Sequence, residues 1–157
     1  MFGIYSLSSS LNTGNGNDII TVTGRDSGIL IYSSSLDTGN GNDIIIATGT
    51  FDLENYWNSF NTGTGTLGIG NYSSTFNTGD GNDIITGNGA GIGAGISNSQ
   101  SASIDTGDGN DIISGINTKG NPTIRGGLGI LNDGIIDTMM VTTESLALAP
   151  SAFLTLV

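Results

Sequence analysis

The chain contains no cysteine and no histidine, and only three basic residues, Arg25, Lys119 and Arg125, among 157. Without Cys there is neither a disulfide nor a thiolate metal site. Without His, the commonest transition-metal ligand and the commonest general base are both missing. Three scattered cations against 14 acids give a net charge of -11. That balance argues against nucleic acid, which demands clustered Lys and Arg, and against an anionic membrane surface. No apolar run approaches the roughly 18 residues of a membrane span. The opening residues, Met1 to Ser6, lack the charged start and apolar core of a cleaved leader. If the protein is exported, the signal is expected elsewhere, or the chain is a fragment.

What the chain has in excess is glycine, 27 residues, well above the roughly 7% of ordinary proteins. Twelve of the 14 acids are Asp, a bias that suits turns rather than helices. These residues are organised as a repeat. The segment Thr13-Gly-Asn-Gly-Asn-Asp-Ile-Ile20 returns at Thr38 to Ile45, Thr78 to Ile85 and Thr106 to Ile113. A degraded copy runs from Asn61 to Leu67, with Leu67 where the others carry Asp, and a weaker one lies near Arg125 to Ile136. Short β-rich pieces recur between the turns, such as Gly28-Ile-Leu-Ile-Tyr-Ser and Gly70-Asn-Tyr-Ser-Ser.

Strands of three to five residues, glycine corners and a period near 25 predict an all-β chain folded as a parallel β-solenoid, of the β-helix or β-roll kind, with about five to six coils. Stacked coils would lie about 4.8 Å apart. Residues 1–140 read as the solenoid and residues 141–157 as an apolar tail. That tail is a cap, a subunit contact or an export signal. The expected core is a set of Ile ladders: Ile20, Ile45, Ile85 and Ile113. The alternating row Ile19, Ile44, Ile84 and Ile112 either faces outward as a lateral contact surface or, the reading favoured here, is buried at a corner. Tyr5, Tyr32 and Tyr72 are expected to form an aromatic ladder.

Glycines at 14, 16, 39, 41, 79, 81, 107 and 109 permit positive-φ corners that turn carbonyls inward. Asn15, Asn40, Asp80 and Asp108 add side-chain oxygens, and Asp18, Asp43, Asp83 and Asp111 close each turn. A donor set of carbonyl and carboxylate oxygens selects a hard cation, and irregular high coordination favours Ca2+. Stacked Asp side chains repel, and a bridging cation would convert that repulsion into attraction. The competing reading is a row of metal-free Asx corners.

The segment Thr-Gly-Asn-Gly-Asn-Asp-Ile-Ile-Thr resembles the calcium-binding nonapeptide of RTX, or haemolysin-type, proteins, Gly-Gly-x-Gly-x-Asp-x-(apolar)-x, with Thr for the first Gly. The resemblance covers about nine residues per copy. It implies Asp18, Asp43, Asp83 and Asp111 as calcium ligands, with Gly14, Gly39, Gly79 and Gly107 shaping the turn. Family copies run in tandem every nine residues, whereas here they lie about 25 apart, so metal would occupy one face of a larger coil. Leu67 is expected to interrupt the column.

These readings point to a non-enzymatic, calcium-binding, extracellular or cell-surface structural protein. Self-association is expected, end to end into fibres or laterally, with polysaccharide or another surface as a further contact. The alternative is an ice- or surface-binding solenoid that uses Asn15, Asn40 and Thr64.

Overall fold

The computed structural model describes residues 1–50, 66–90, 94–117, 124–126, 130–131, 135–138, 141–143 and 153–156. Among them every regular element is a strand. Each coil contributes three. The first coil has β1 (Phe2–Leu7), β2 (Ser10–Asn12) and β3 (Ile19–Gly24); the second has β4 (Ser27–Tyr32), β5 (Ser35–Asp37) and β6 (Ile44–Gly49). The third has β7 (Leu67–Tyr72), β8 (Thr75–Asn77) and β9 (Ile84–Gly89), and the fourth β10 (Ile96–Ser99), β11 (Ser103–Asp105) and β12 (Ile112–Asn117). The same three sheets continue through β13 (Ile124–Gly126), β14 (Ile130–Leu131), β15 (Ile135–Thr138), β16 (Val141–Thr143) and β17 (Phe153–Leu156).

Like strands of successive coils pair in parallel and in register, so the chain is a three-sided parallel β-solenoid. Sheet A runs β1-β4-β7-β10-β13-β16, sheet B β2-β5-β8-β11-β14, and sheet C β3-β6-β9-β12-β15-β17. The apolar tail beginning at residue 141 therefore supplies strands to sheets A and C. No described helix is long and apolar enough to cross a membrane.

The core is built from all three sides of each coil. In the second coil it comprises Ile29, Ile31, Leu36, Ile45 and Ala47, all essentially buried. In the third the register partners are Ile69, Asn71, Phe76, Ile85 and Gly87. Leu36 thus gives way to the larger Phe76, while Ile31 gives way to the smaller Asn71 and Ala47 to Gly87. The buried Asn71 side chain donates to Asn98 Oδ1 at 2.7 Å and to the Ser103 carbonyl at 2.8 Å. Asn98 in turn donates to the Ala102 carbonyl at 2.9 Å. These bonds satisfy the buried amide nitrogens, while Asn71 Oδ1 is buried without a partner.

Three expectations change. The Ile19, Ile44, Ile84 and Ile112 row faces outward: Ile19 is 71% and Ile112 38% exposed, because consecutive residues of a strand point to opposite faces. Tyr32 and Tyr72 do stack, with ring centroids 4.7 Å apart, but Tyr5 registers with Leu30 and stacks on Phe2 instead. Leu67 does not occupy a turn; it opens β7 opposite Ser27. The rest of the degraded copy, residues 61–65, lies outside the described residues, as does Thr64. The second and third coils stack directly with an offset of 40 residues, where their neighbours are offset by 25 and 28.

Candidate metal centre on the Asp turn

Between the sheet B and sheet C strands of each coil the chain makes the Thr-Gly-x-Gly-Asn-Asp turn, and the four turns lie on top of one another. Four Asx rows result. Each first Asx bends its own turn: Asn12 Oδ1 accepts from Gly14 N–H at 2.7 Å, Asp37 from Gly39 at 3.0 Å, Asn77 from Gly79 at 3.2 Å and Asp105 from Gly107 at 3.0 Å. This is an Asx-turn. Asn12 and Asn77 both donate to Asp37 at 3.3 Å, so amide and carboxylate alternate and like charges are kept apart in this row.

The next two rows tie coil to coil. Asn15 Oδ1 accepts from Asn40 N–H at 3.0 Å, Asn40 from Asp80 at 3.3 Å and Asp80 from Asp108 at 3.2 Å. Asn17, Asn42 and Asn82 accept from the backbone N–H of Asn42, Asn82 and Asn110 at 2.8 to 3.0 Å. The Asn17 row and the Asn12 row are structural parts of the turn outside the motif's candidate ligands. Their recurrence at fixed offsets from the glycines in all four copies was the available signal.

The glycines have two causes. Gly14, Gly39, Gly79 and Gly107 all have φ between 67° and 92°, where a side chain is strained. Stacking adds the second: a Cβ on Gly39 would strike the Gly14 carbonyl, and one on Gly41 would strike the Gly16 carbonyl. The same contacts recur from Gly39 to Gly79, Gly79 to Gly107, Gly41 to Gly81 and Gly81 to Gly109. These carbonyls run along the stack toward the next glycine.

The fourth row is the chemically demanding one. Asp18 N–H donates to Asp43 Oδ1 at 2.8 Å, Asp43 N–H to Asp83 Oδ1 at 2.8 Å and Asp83 N–H to Asp111 Oδ1 at 2.9 Å. Leu67 makes no gap: the column is continuous. Asp43, Asp83 and Asp111 have no exposed surface. One oxygen of each carboxylate is thus spent on the neighbouring coil. In the first coil Asp18 Oδ2 accepts from Thr13 Oγ1 at 2.7 Å. In the second and third coils Asp43 Oδ2, Asp83 Oδ2 and the hydroxyls of Thr38 and Thr78 are buried with no hydrogen-bond partner. The Thr78 hydroxyl still favours the charged form of Asp83, although it does not reach hydrogen-bond geometry. Burial nonetheless pushes the Asp83 carboxyl up from its ordinary pKa, with the charges of Asp43 and Asp80 adding to the effect.

A buried carboxylate oxygen without a donor is costly. A cation or a proton relieves it. Among the described residues no three acidic groups converge on one point, so the carboxylates form a line rather than a cage. The orphaned oxygens, one Thr hydroxyl and one carboxylate oxygen per inner coil, are hard donors free of nitrogen and sulfur, which fits Ca2+ in chemistry. The chain matches no protein-family model, no curated protein and no solved structure.

Proposed function

We propose that the chain is a non-catalytic, calcium-clamped structural solenoid that works outside the cell or on its surface. The observation that carries this reading is the continuous Asp column, in which Asp43 Oδ2 and Asp83 Oδ2 are fully buried without a donor. Asp43 and Asp83, with Thr38 and Thr78, would hold the cation, and Asp18 and Asp111 extend the line. Bound Ca2+ supplies the positive charge that the adjacent carboxylates otherwise lack. Extracellular Ca2+ sites of modest affinity, with Kd of roughly 0.1–1 mM, are filled outside cells, so export would couple to clamping. Self-association end to end into fibres is part of this proposal, because the strand edge at an open end of a parallel stack recruits further strands.

Isothermal titration tests the site. Calcium is expected to bind the native chain and not the Asp43→Asn/Asp83→Asn double variant, with magnesium much weaker. Equal binding by both proteins would remove the column from the mechanism.

One observation favours a second reading, contact with ice or another ordered surface. The outward positions of sheet C in the first four coils are uncharged rows of Ile, Thr, Ser and Asn, with Thr21, Thr23, Thr48 and Thr86 among them. In-register stacking spaces them at about 4.8 Å. The Asn15 and Asn40 carbonyls, by contrast, are already spent on backbone N–H groups. Thermal hysteresis lost in Thr86→Lys would support this reading, and its absence from the native chain would end it.

A further inference from the structure

Two turns carry an Asn-Gly step, Asn15-Gly16 and Asn40-Gly41, where the next two carry Asp80-Gly81 and Asp108-Gly109. Both Asn side chains are exposed. Asn followed by Gly is chemically vulnerable, because the glycine has no Cβ to hinder its amide nitrogen. That nitrogen attacks the Asn Cγ, forming an N–Cγ bond and a cyclic imide. The Cγ–Nδ2 bond breaks, and the side-chain nitrogen leaves as ammonia with the proton lost from the glycine amide. Water then opens one of the two imide carbonyls, giving aspartate or, with the chain routed through the side chain, isoaspartate.

The stacked turn holds both reacting groups. The nucleophile is tethered: Gly16 N–H donates to the Asn40 carbonyl at 2.8 Å, and Gly41 N–H to the Asp80 carbonyl at 2.9 Å. The electrophile is tethered too: Asn15 Oδ1 accepts from Asn40 N–H and Asn40 Oδ1 from Asp80 N–H. All four tethers run to the next coil and none lies within the turn itself. Ring closure requires the nitrogen to swing toward Cγ, which breaks them.

We propose that Asn15 and Asn40 are latent covalent-modification sites, guarded by coil stacking and converted to aspartate and isoaspartate when the coils part. The two products differ in consequence. Aspartate fits, since Asp80 Oδ1 already accepts from Asp108 N–H at the equivalent place. Isoaspartate at residue 40 adds a methylene to the main chain between Gly39 and Gly41, where a single added Cβ would collide with the Gly14 and Gly16 carbonyls. It therefore blocks restacking, and a solenoid once opened for long does not close again. The guard depends on stacking alone, whatever holds the coils together.

The test is peptide mapping by mass spectrometry after incubation of the full chain at neutral pH, native and in guanidinium. Deamidation at both residues is expected to be roughly a hundredfold or more slower in the native chain, because reaction needs a rare local opening. Guanidinium-treated chain should regain β structure on dilution only in the fraction without isoaspartate at residue 40, and Asn40→Asp should fold like the native protein. Similar rates in the two states at either residue would overturn the guard. Full refolding of chain with isoaspartate at residue 40, or failure of Asn40→Asp to fold, would overturn the assignment of the two products.

Discussion

At the residue scale the account rests on Asp83, which does two separable jobs. Its Oδ1 accepts from Asp43 N–H, while its Oδ2 is buried without a donor. Asp83→Asn keeps the acceptor and removes the charge. Without calcium it should be as stable as the native chain or more so, by up to about 3 kcal/mol, and it should lose most of the calcium-dependent gain. Asp83→Ala also strands the Asp43 N–H and should cost about 1–3 kcal/mol with or without calcium. Thermal melts of the pair separate the two roles. The pH dependence follows from the same burial. The native state raises the Asp83 pKa, so it binds this proton more tightly than the unfolded chain, whose carboxyl titrates near about 3.9. Calcium-free stability should therefore rise as pH falls from neutral through the native pKa, and level off below about pH 4. A calcium-free melting temperature that falls steadily over that range would contradict the burial of an uncompensated charge.

At the element scale the turn is the unit of design, and glycine substitutions dissect it. Gly14 in the first coil has a φ of 92° but nothing near its Cβ position, whereas Gly39 has a φ of 78° and the Gly14 carbonyl against it. Gly14→Ala should cost about 1 kcal/mol from backbone strain alone, and Gly39→Ala clearly more, about 2–4 kcal/mol. Equal costs in denaturant titrations would mean that stacking closeness does not matter. Much of this was legible in the sequence, because the Gly-x-Gly-Asn-Asp spacing states the turn directly and the Ile pair states the strand that follows. The inward row was legible as the ladder Ile20, Ile45, Ile85 and Ile113, of which the last three are fully buried. Whether the other Ile of each pair is buried or turned outward was not, since two identical neighbours carry no polarity signal. The Ser corners were also hidden. Ser8, Ser33 and Ser73 adopt φ of 47° to 50°, a region the sequence marks only when Gly or Asn occupies it. Ser34 and Ser74 Oγ donate to the Tyr32 and Tyr72 carbonyls at 2.6 and 2.7 Å, helping to hold that corner.

At the scale of the whole molecule, the parallel solenoid follows from the repeat, but its spacing does not. The repeat read from the sequence counts a coil at residues 61–67, whereas the copies at Thr38 and Thr78 are direct neighbours: Thr38 N–H donates to the Asn77 carbonyl at 3.1 Å. The degraded copy shares the Thr-Gly rhythm without the Asp that makes a coil stackable, and rhythm alone misleads. Gly49 lies beside Leu67, so the described residues on either side of 51–65 are close in space. Joining residue 50 directly to residue 66 should preserve the β spectrum and alter stability by no more than about 1–2 kcal/mol, since the flanks already meet and the length of chain between two close points costs little; collapse of the fold would show that the stack depends on residues 51–65. The central claim, that calcium clamps the Asp column, is tested most directly by the thermal melt of the native chain followed by circular dichroism, in chelator, in magnesium and in rising calcium. The account predicts a melting temperature that climbs with calcium concentration, as binding to the folded state alone requires, with little response to magnesium. A melt indifferent to calcium over the millimolar range would contradict it and leave the Asp rows as metal-free corners.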